Sequence, residues 1–122
     1  MSNKQKVMDF IAAWEARDMD RILSLMTPDA FYHNIPMEPV TGRDAIRGLL
    51  TAFLGNAMAV RWAVHHIAET DEGVVLTERT DVFEMGPKTL SLRVMGAFEF
   101  RDGLICAWRD YFDLGQFQSQ MA

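Results

Sequence analysis

Arg79 and Asp81, in Glu78-Arg79-Thr80-Asp81, and Asp110, in Trp108-Arg109-Asp110-Tyr111-Phe112-Asp113, place charge inside two segments that otherwise read as buried β-strand. Strand side chains alternate faces, so Arg79 and Asp81 share one face, and Asp110 shares its face with Trp108 and Phe112. Charge on an apolar sheet face is costly unless it is paired. Two carboxylates around one guanidinium meet that demand, and their single net negative charge lets them share a proton and move it. Adjacent antiparallel strands that both face one pocket would bring the three together as an acid–base cluster. The alternative is a structural ion-pair cluster that fixes strand pairing. Arg109 and Asp113 fall on the opposite face and are expected to serve as scaffold or interface.

Tyr32 and Asn34 share a face of an earlier, shorter strand, and both offer polar groups able to hold a water. His33 between them points away. His33, His65 and His66 make no metal-ligating pattern, because neighbours in a strand face opposite ways and no i, i+4 or H-x-H spacing occurs. Cys106 is expected on the face of Trp108 and Asp110 as an inert, buried thiol. Neither a glycine-rich phosphate loop nor a G-x-S-x-G elbow is present. No metal and no cofactor is expected.

The elements that must position these residues follow from periodicity. Val7, Phe10, Ile11 and Trp14 form a helical stripe, with Ser2 and Gln5 at capping-box spacing before it. A short second helix carries Ile22, Leu23, Leu25 and Met26 and is expected to stop at Thr27-Pro28. Ala30 to Asn34 reads as a brief strand. A third helix starts near Thr41-Gly42-Arg43-Asp44 and carries Ile46, Leu49, Leu50, Phe53 and Leu54. From about Ala57 the period becomes two, giving strands near 57–67, Val74 to Phe83, Leu90 to Phe100 and Leu104 to Asp113. Thr70-Asp71-Glu72-Gly73, Glu84-Met85-Gly86-Pro87-Lys88 and Arg101-Asp102-Gly103 are the turns between them.

Helices first, then a meander of long strands, predict an α+β fold whose curved sheet wraps three to four helices as a cone with an apolar pocket. Gly96 is expected to supply a bulge or bend for that curvature. Parity assigns Trp62, Phe83, Leu92, Val94, Phe112 and Phe117 to the pocket lining, with Phe53 from the third helix. Each of these apolar residues also has a plain reading as core filling.

The 122 residues suffice for one domain, 1–122, with a core: 49% are hydrophobic and 24% charged. The net charge of −5, with no basic stripe, argues against nucleic acid. No apolar run reaches the roughly 18 residues of a membrane span. The first residues enter an amphipathic pattern instead of a signal peptide, and the lone cysteine fits a reducing cytoplasm. Nine methionines suit an adaptable apolar lining or core filler.

Four segments in order carry a resemblance to the limonene-1,2-epoxide hydrolase family: Tyr32-x-Asn34, Gly42-Arg43-Asp44-Ala45, Leu76-Thr77-Glu78-Arg79-x-Asp81-Val82 and Trp108-Arg109-Asp110-Tyr111-Phe112-Asp113-Leu114. The similarity spans nearly the whole chain, to about Phe117. It implies a six-stranded mixed sheet curled over helices, in the nuclear-transport-factor-like superfamily, and a homodimer. It also implies a triad in which Asp110 is the general base, aided by Tyr32 and Asn34, Asp81 is the general acid, and Arg79 bridges them. The chain differs from the family at many pocket-facing apolar positions, so the chemistry is implied more strongly than the substrate.

Opening an epoxide with water needs a base for the water proton and an acid for the leaving alkoxide. One aspartate must therefore be ionised and the other protonated, which two carboxylates in an apolar cavity achieve by resisting joint ionisation. The expected partners are a small lipophilic epoxide and water. Two readings compete on the same fold. One is a ketosteroid-isomerase-like or polyketide-cyclase-like acid–base enzyme, which needs no arginine between two acids. The other is a ligand-binding or dimerisation module in which the trio is structural.

Overall fold

The computed structural model describes residues 2–122. Helix α1 (Asn3–Glu15) buries the expected stripe of Val7, Phe10, Ile11 and Trp14, together with Ala13. Ser2 caps it by accepting from the Gln5 amide at 3.1 Å, while the Gln5 side chain turns to Asp9 rather than closing a capping box. Helix α2 (Met19–Ser24) ends earlier than periodicity predicts, and strand β1 (Met26–Asn34) follows at once. Thr27-Pro28 therefore lies within a strand instead of terminating a helix. Proline is tolerated there because the β1 pairing is irregular between Met26 and Phe31, where no ladder bond needs its missing N–H.

A two-residue strand β2 (Val40–Thr41), absent from the sequence reading, pairs with β1 before helix α3 (Arg43–Leu54). Gly42 is the N-cap residue of α3, at φ 92°, and makes no side-chain cap bond. The long strands are β3 (Ala59–Glu69), β4 (Val75–Met85), β5 (Lys88–Arg101) and β6 (Leu104–Tyr111), and a fourth helix α4 (Leu114–Met121) follows. Asp113, set apart from the chemistry by parity, caps α4 by accepting from the Gln116 amide at 2.8 Å. Its neighbour Arg109 pairs with Glu99 at 2.6 Å. Asp102 and Gly103 both take positive φ, at 53° and 81°, as a two-residue hairpin turn requires.

The sheet order is β2-β1-β6-β5-β4-β3, with β1 and β6 parallel and every other pair antiparallel. This is the six-stranded mixed sheet of an α+β fold, curved around the helices. Besides the one in β1, its irregularities fall at Val64–His66 on β3 and at Glu99–Phe100 against β6, not at Gly96, where both registers run unbroken. The β3 bulge has a consequence for parity: His65 bonds Thr80 and His66 bonds Glu78, residues of one outer face, so the adjacent histidines point the same way. The β6 irregularity makes Cys106 the extra residue. It is half-buried, and Ile105 rather than Cys106 fills the core.

Trp108 is fully buried at the centre, stacked on Tyr32 at 4.0 Å and on Phe98 at 5.9 Å, with Phe10 edge-on at 5.0 Å. Such ring pairs contribute about 0.5–1.5 kcal/mol each beyond their buried area. This aromatic block ties α1 to the sheet and forms the floor on which the charged residues rest. No helix among the described residues is long and apolar enough to cross a membrane.

Candidate active site

Arg79, Asp81 and Asp110 do come together, but not on adjacent strands as the sequence reading supposed. β5 lies between β4 and β6, and Gly96 of β5 is the residue registered with both Thr77 and Asp110. The Arg79 side chain passes over this glycine. Its Nε and Nη2 donate to the two oxygens of Asp81 at 3.0 and 2.8 Å. Nη2 also donates to Asp110 Oδ2 at 2.9 Å, and Nη1 to Asp110 Oδ1 at 3.3 Å. Nη1 donates further to Thr77 Oγ1 at 3.0 Å. Every one of the guanidinium's five N–H donors is thereby used, which is what full burial of a charge demands.

The Trp62 ring lies 4.5 Å from the guanidinium carbon and adds a desolvated cation–π contact. Arg79 is 0% exposed, so it sits beneath the acids rather than in contact with a ligand. Its charge is secure: burial opposes it, but Asp110 and Asp81 together outweigh that and raise its pKa.

The two carboxylates are not equivalent. Asp110 accepts a further bond from the Trp108 indole N–H at 2.9 Å, which Asp81 lacks. Donors to a carboxylate favour its ionised form. Burial pushes the Asp81 carboxyl up to about 6, against the pull of Arg79 and with help from the charge on Asp110. Tyr32 donates to Asn34 Oδ1 at 3.1 Å, and Asn34 is registered opposite Asp110 across the β1–β6 pair. Burial, then the Asp110 charge, raises the Tyr32 pKa, so the phenol stays neutral and its oxygen keeps lone pairs free to accept.

These groups open on a cavity of about 230 Å³, lined at its polar end by Tyr32, Asn34, Asp81 and Asp110. The seven apolar positions assigned by parity, Phe53, Trp62, Phe83, Leu92, Val94, Phe112 and Phe117, all line it. Trp14, Met37, Leu49, Leu50 and Ala52 line it too and were not anticipated. Leu49, Leu50 and Trp14 belong to helical stripes that read equally well as core, and Met37 lies in a loop without periodicity. Trp108 and Thr77 were missed as bonding partners, although each shares a strand face with the acid or arginine two residues away. Gly96 carried no such signal, since only the register shows what lies above it.

A curved mixed sheet with helices packed in its concavity, here holding two buried acids and an arginine at the base of an apolar cavity, is the nuclear-transport-factor-like fold. The limonene-1,2-epoxide hydrolase catalytic-domain model matches residues 1–122, and the chain belongs to that family. It is 34% identical to the epoxide hydrolase EphG of Mycobacterium tuberculosis over 105 residues, which cover 86% of this chain and 69% of that protein. An epoxide hydrolase from M. tuberculosis, similar to the limonene type, superimposes with a TM-score of 0.84 at 30% identity, covering 97% of this chain and 87% of the other. Bal32a, from a soil-derived mobile gene cassette, superimposes with a TM-score of 0.85 at 24% identity over 98% and 96% of the two chains, a likeness of fold.

Proposed function

We propose that the protein hydrolyses a small lipophilic epoxide to a vicinal diol in one step, without a covalent intermediate. One water is held at the polar end of the cavity, donating one hydrogen to Asp110 and the other to the Tyr32 oxygen while accepting from the Asn34 amide. Its free lone pair attacks a ring carbon. As that C–O bond forms, Asp110 takes the water proton, the ring C–O bond breaks, and Asp81 gives its proton to the oxirane oxygen. Asp110 ends protonated and Asp81 ionised, and a proton passed back through water resets them. Arg79 holds both carboxylates in place throughout and is not itself a proton carrier.

The observation that carries this reading is the buried arginine bridging two unequally hydrogen-bonded carboxylates that both face an apolar cavity. An isomerase-type site uses one aspartate as base and a separate oxyanion donor, and needs no arginine bridging the two. The lining is apolar beyond its four polar groups, which fits a substrate whose one polar feature is the oxirane. No cofactor is required. The protein acts as a homodimer in this reading, with each chain supplying its own complete set of catalytic groups. A panel of cyclic and acyclic lipophilic epoxides assayed for diol formation tests the activity. Diol from at least one member, lost in Asp110→Asn, is expected; no diol from any of them contradicts the reading.

A further inference from the structure

Thr77, Gly96 and Asp110 form one lateral row across β4, β5 and β6, and the Arg79 guanidinium lies over the middle of that row. A Cβ built on Gly96 would stand 2.5 Å from Arg79 Nη1, 2.6 Å from Asp110 Oδ1 and 3.0 Å from Thr77 Oγ1. The arginine thus occupies the volume a side chain would take. Backbone freedom does not explain this glycine, because the strand is regular there. On one side of it, Thr77 takes an Nη1 hydrogen at 3.0 Å, and on the other Asp110 takes the second at a longer 3.3 Å. Thr77 is itself 1% exposed, so no water can replace its hydroxyl.

We propose that Gly96 and Thr77 are positioning residues of the reaction: Gly96 provides the seat for the guanidinium, and the Thr77 hydroxyl fixes its rotation so that Asp81 and Asp110 meet separate edges of one fork. Without the hydroxyl, Nη1 loses its nearer acceptor and the fork turns toward Asp110. The acid and base then cease to be held independently. With a methyl at Gly96, Arg79 and Asp110 cannot both keep their places. This deepens the hydrolase reading and rests on it.

The test uses the whole protein and the best epoxide found for the wild type. Thr77→Val, nearly isosteric, is expected to lower kcat at least tenfold with little change in KM, and to shift the alkaline limb of the kcat pH profile. Thr77→Ser is expected to restore both, since it returns the hydroxyl. Gly96→Ala is expected to remain folded by circular dichroism and to lose kcat about 10²-fold or more, the range set by one acid or base. Unchanged kcat and pH profile in Thr77→Val, or Thr77→Ser as impaired as Thr77→Val, overturns the role of the hydroxyl, whatever happens to the folding of Gly96→Ala. A folded Gly96→Ala of wild-type kcat overturns the seat. An inactive wild type would instead count against the hydrolase reading, so the two failures remain distinct.

Discussion

At the scale of the residue, the decisive feature is that two aspartates around one arginine differ by a single donor. Trp108 bonds Asp110 and nothing equivalent bonds Asp81, while burial raises the Asp81 carboxyl from 3.8 to about 6. Asp110→Asn and Asp81→Asn should each lower kcat by roughly 10²–10⁴. The pH profile should separate them. The rate should fall as pH rises above about 6, as Asp81 loses its proton, and this limb should vanish in Asp81→Asn, leaving only residual turnover. Stability carries the same sign. A carboxyl raised in the folded state binds protons the unfolded chain has released, so its contribution is present below about 4 and lost as pH rises through about 6. Thermal midpoints measured from pH 4 to 7 should show the wild type losing ground to Asp81→Asn across that window. Much of this was legible in sequence: R-x-D and W-x-D parity alone put each charge on its face. The inequality of the acids was not, because it depends on an indole N–H whose partner only the rotamers reveal.

At the scale of the element, periodicity located the long strands and the apolar lining, since burial on one face imposes a period of two whatever the tertiary context. It failed where local rules were overridden. Pro28 reads as a helix stop, yet an irregular parallel pairing accommodates it inside β1. The β3 bulge reverses parity between Val64 and His66, which no local signal announces. The fourth helix, α4, has no periodic stripe to locate it in sequence because no residue of it is fully buried. It is held instead by Gln120, whose side-chain amide accepts from the Ser91 N–H at 2.6 Å and donates to the Ser91 carbonyl at 2.9 Å. Those bonds pair the β5 backbone beyond the end of β6 and keep Phe117 over the cavity, facing Phe53 at 6.5 Å between ring centroids. Gln120→Ala should therefore loosen the cavity wall, raising KM several-fold while kcat changes less. Steady-state kinetics on one epoxide would check the split.

At the scale of the whole molecule, the sheet order does the assembly. The groups proposed to act in the reaction come from β1, β4 and β6, and the insertion of β6 between β1 and β5 sets Asn34 opposite Asp110 and Asp110 within reach of Arg79. A meander read from sequence yields the β3–β6 order but not the parallel β1–β6 pairing, which is a non-local choice. Because one chain holds every group, dimerisation should not be needed to complete the site. Light scattering should give twice the 13.9 kDa of one chain, and specific activity should persist on dilution below the dimer's dissociation constant.

The central claim is that water, not an aspartate, attacks the ring. A single turnover in ¹⁸O-water, with enzyme in excess over epoxide, measures this directly. Direct attack predicts one ¹⁸O in the diol from the first turnover and an unlabelled protein. Unlabelled diol, with ¹⁸O recovered in the carboxylate of Asp110 or Asp81, would mean an ester intermediate and would contradict the account.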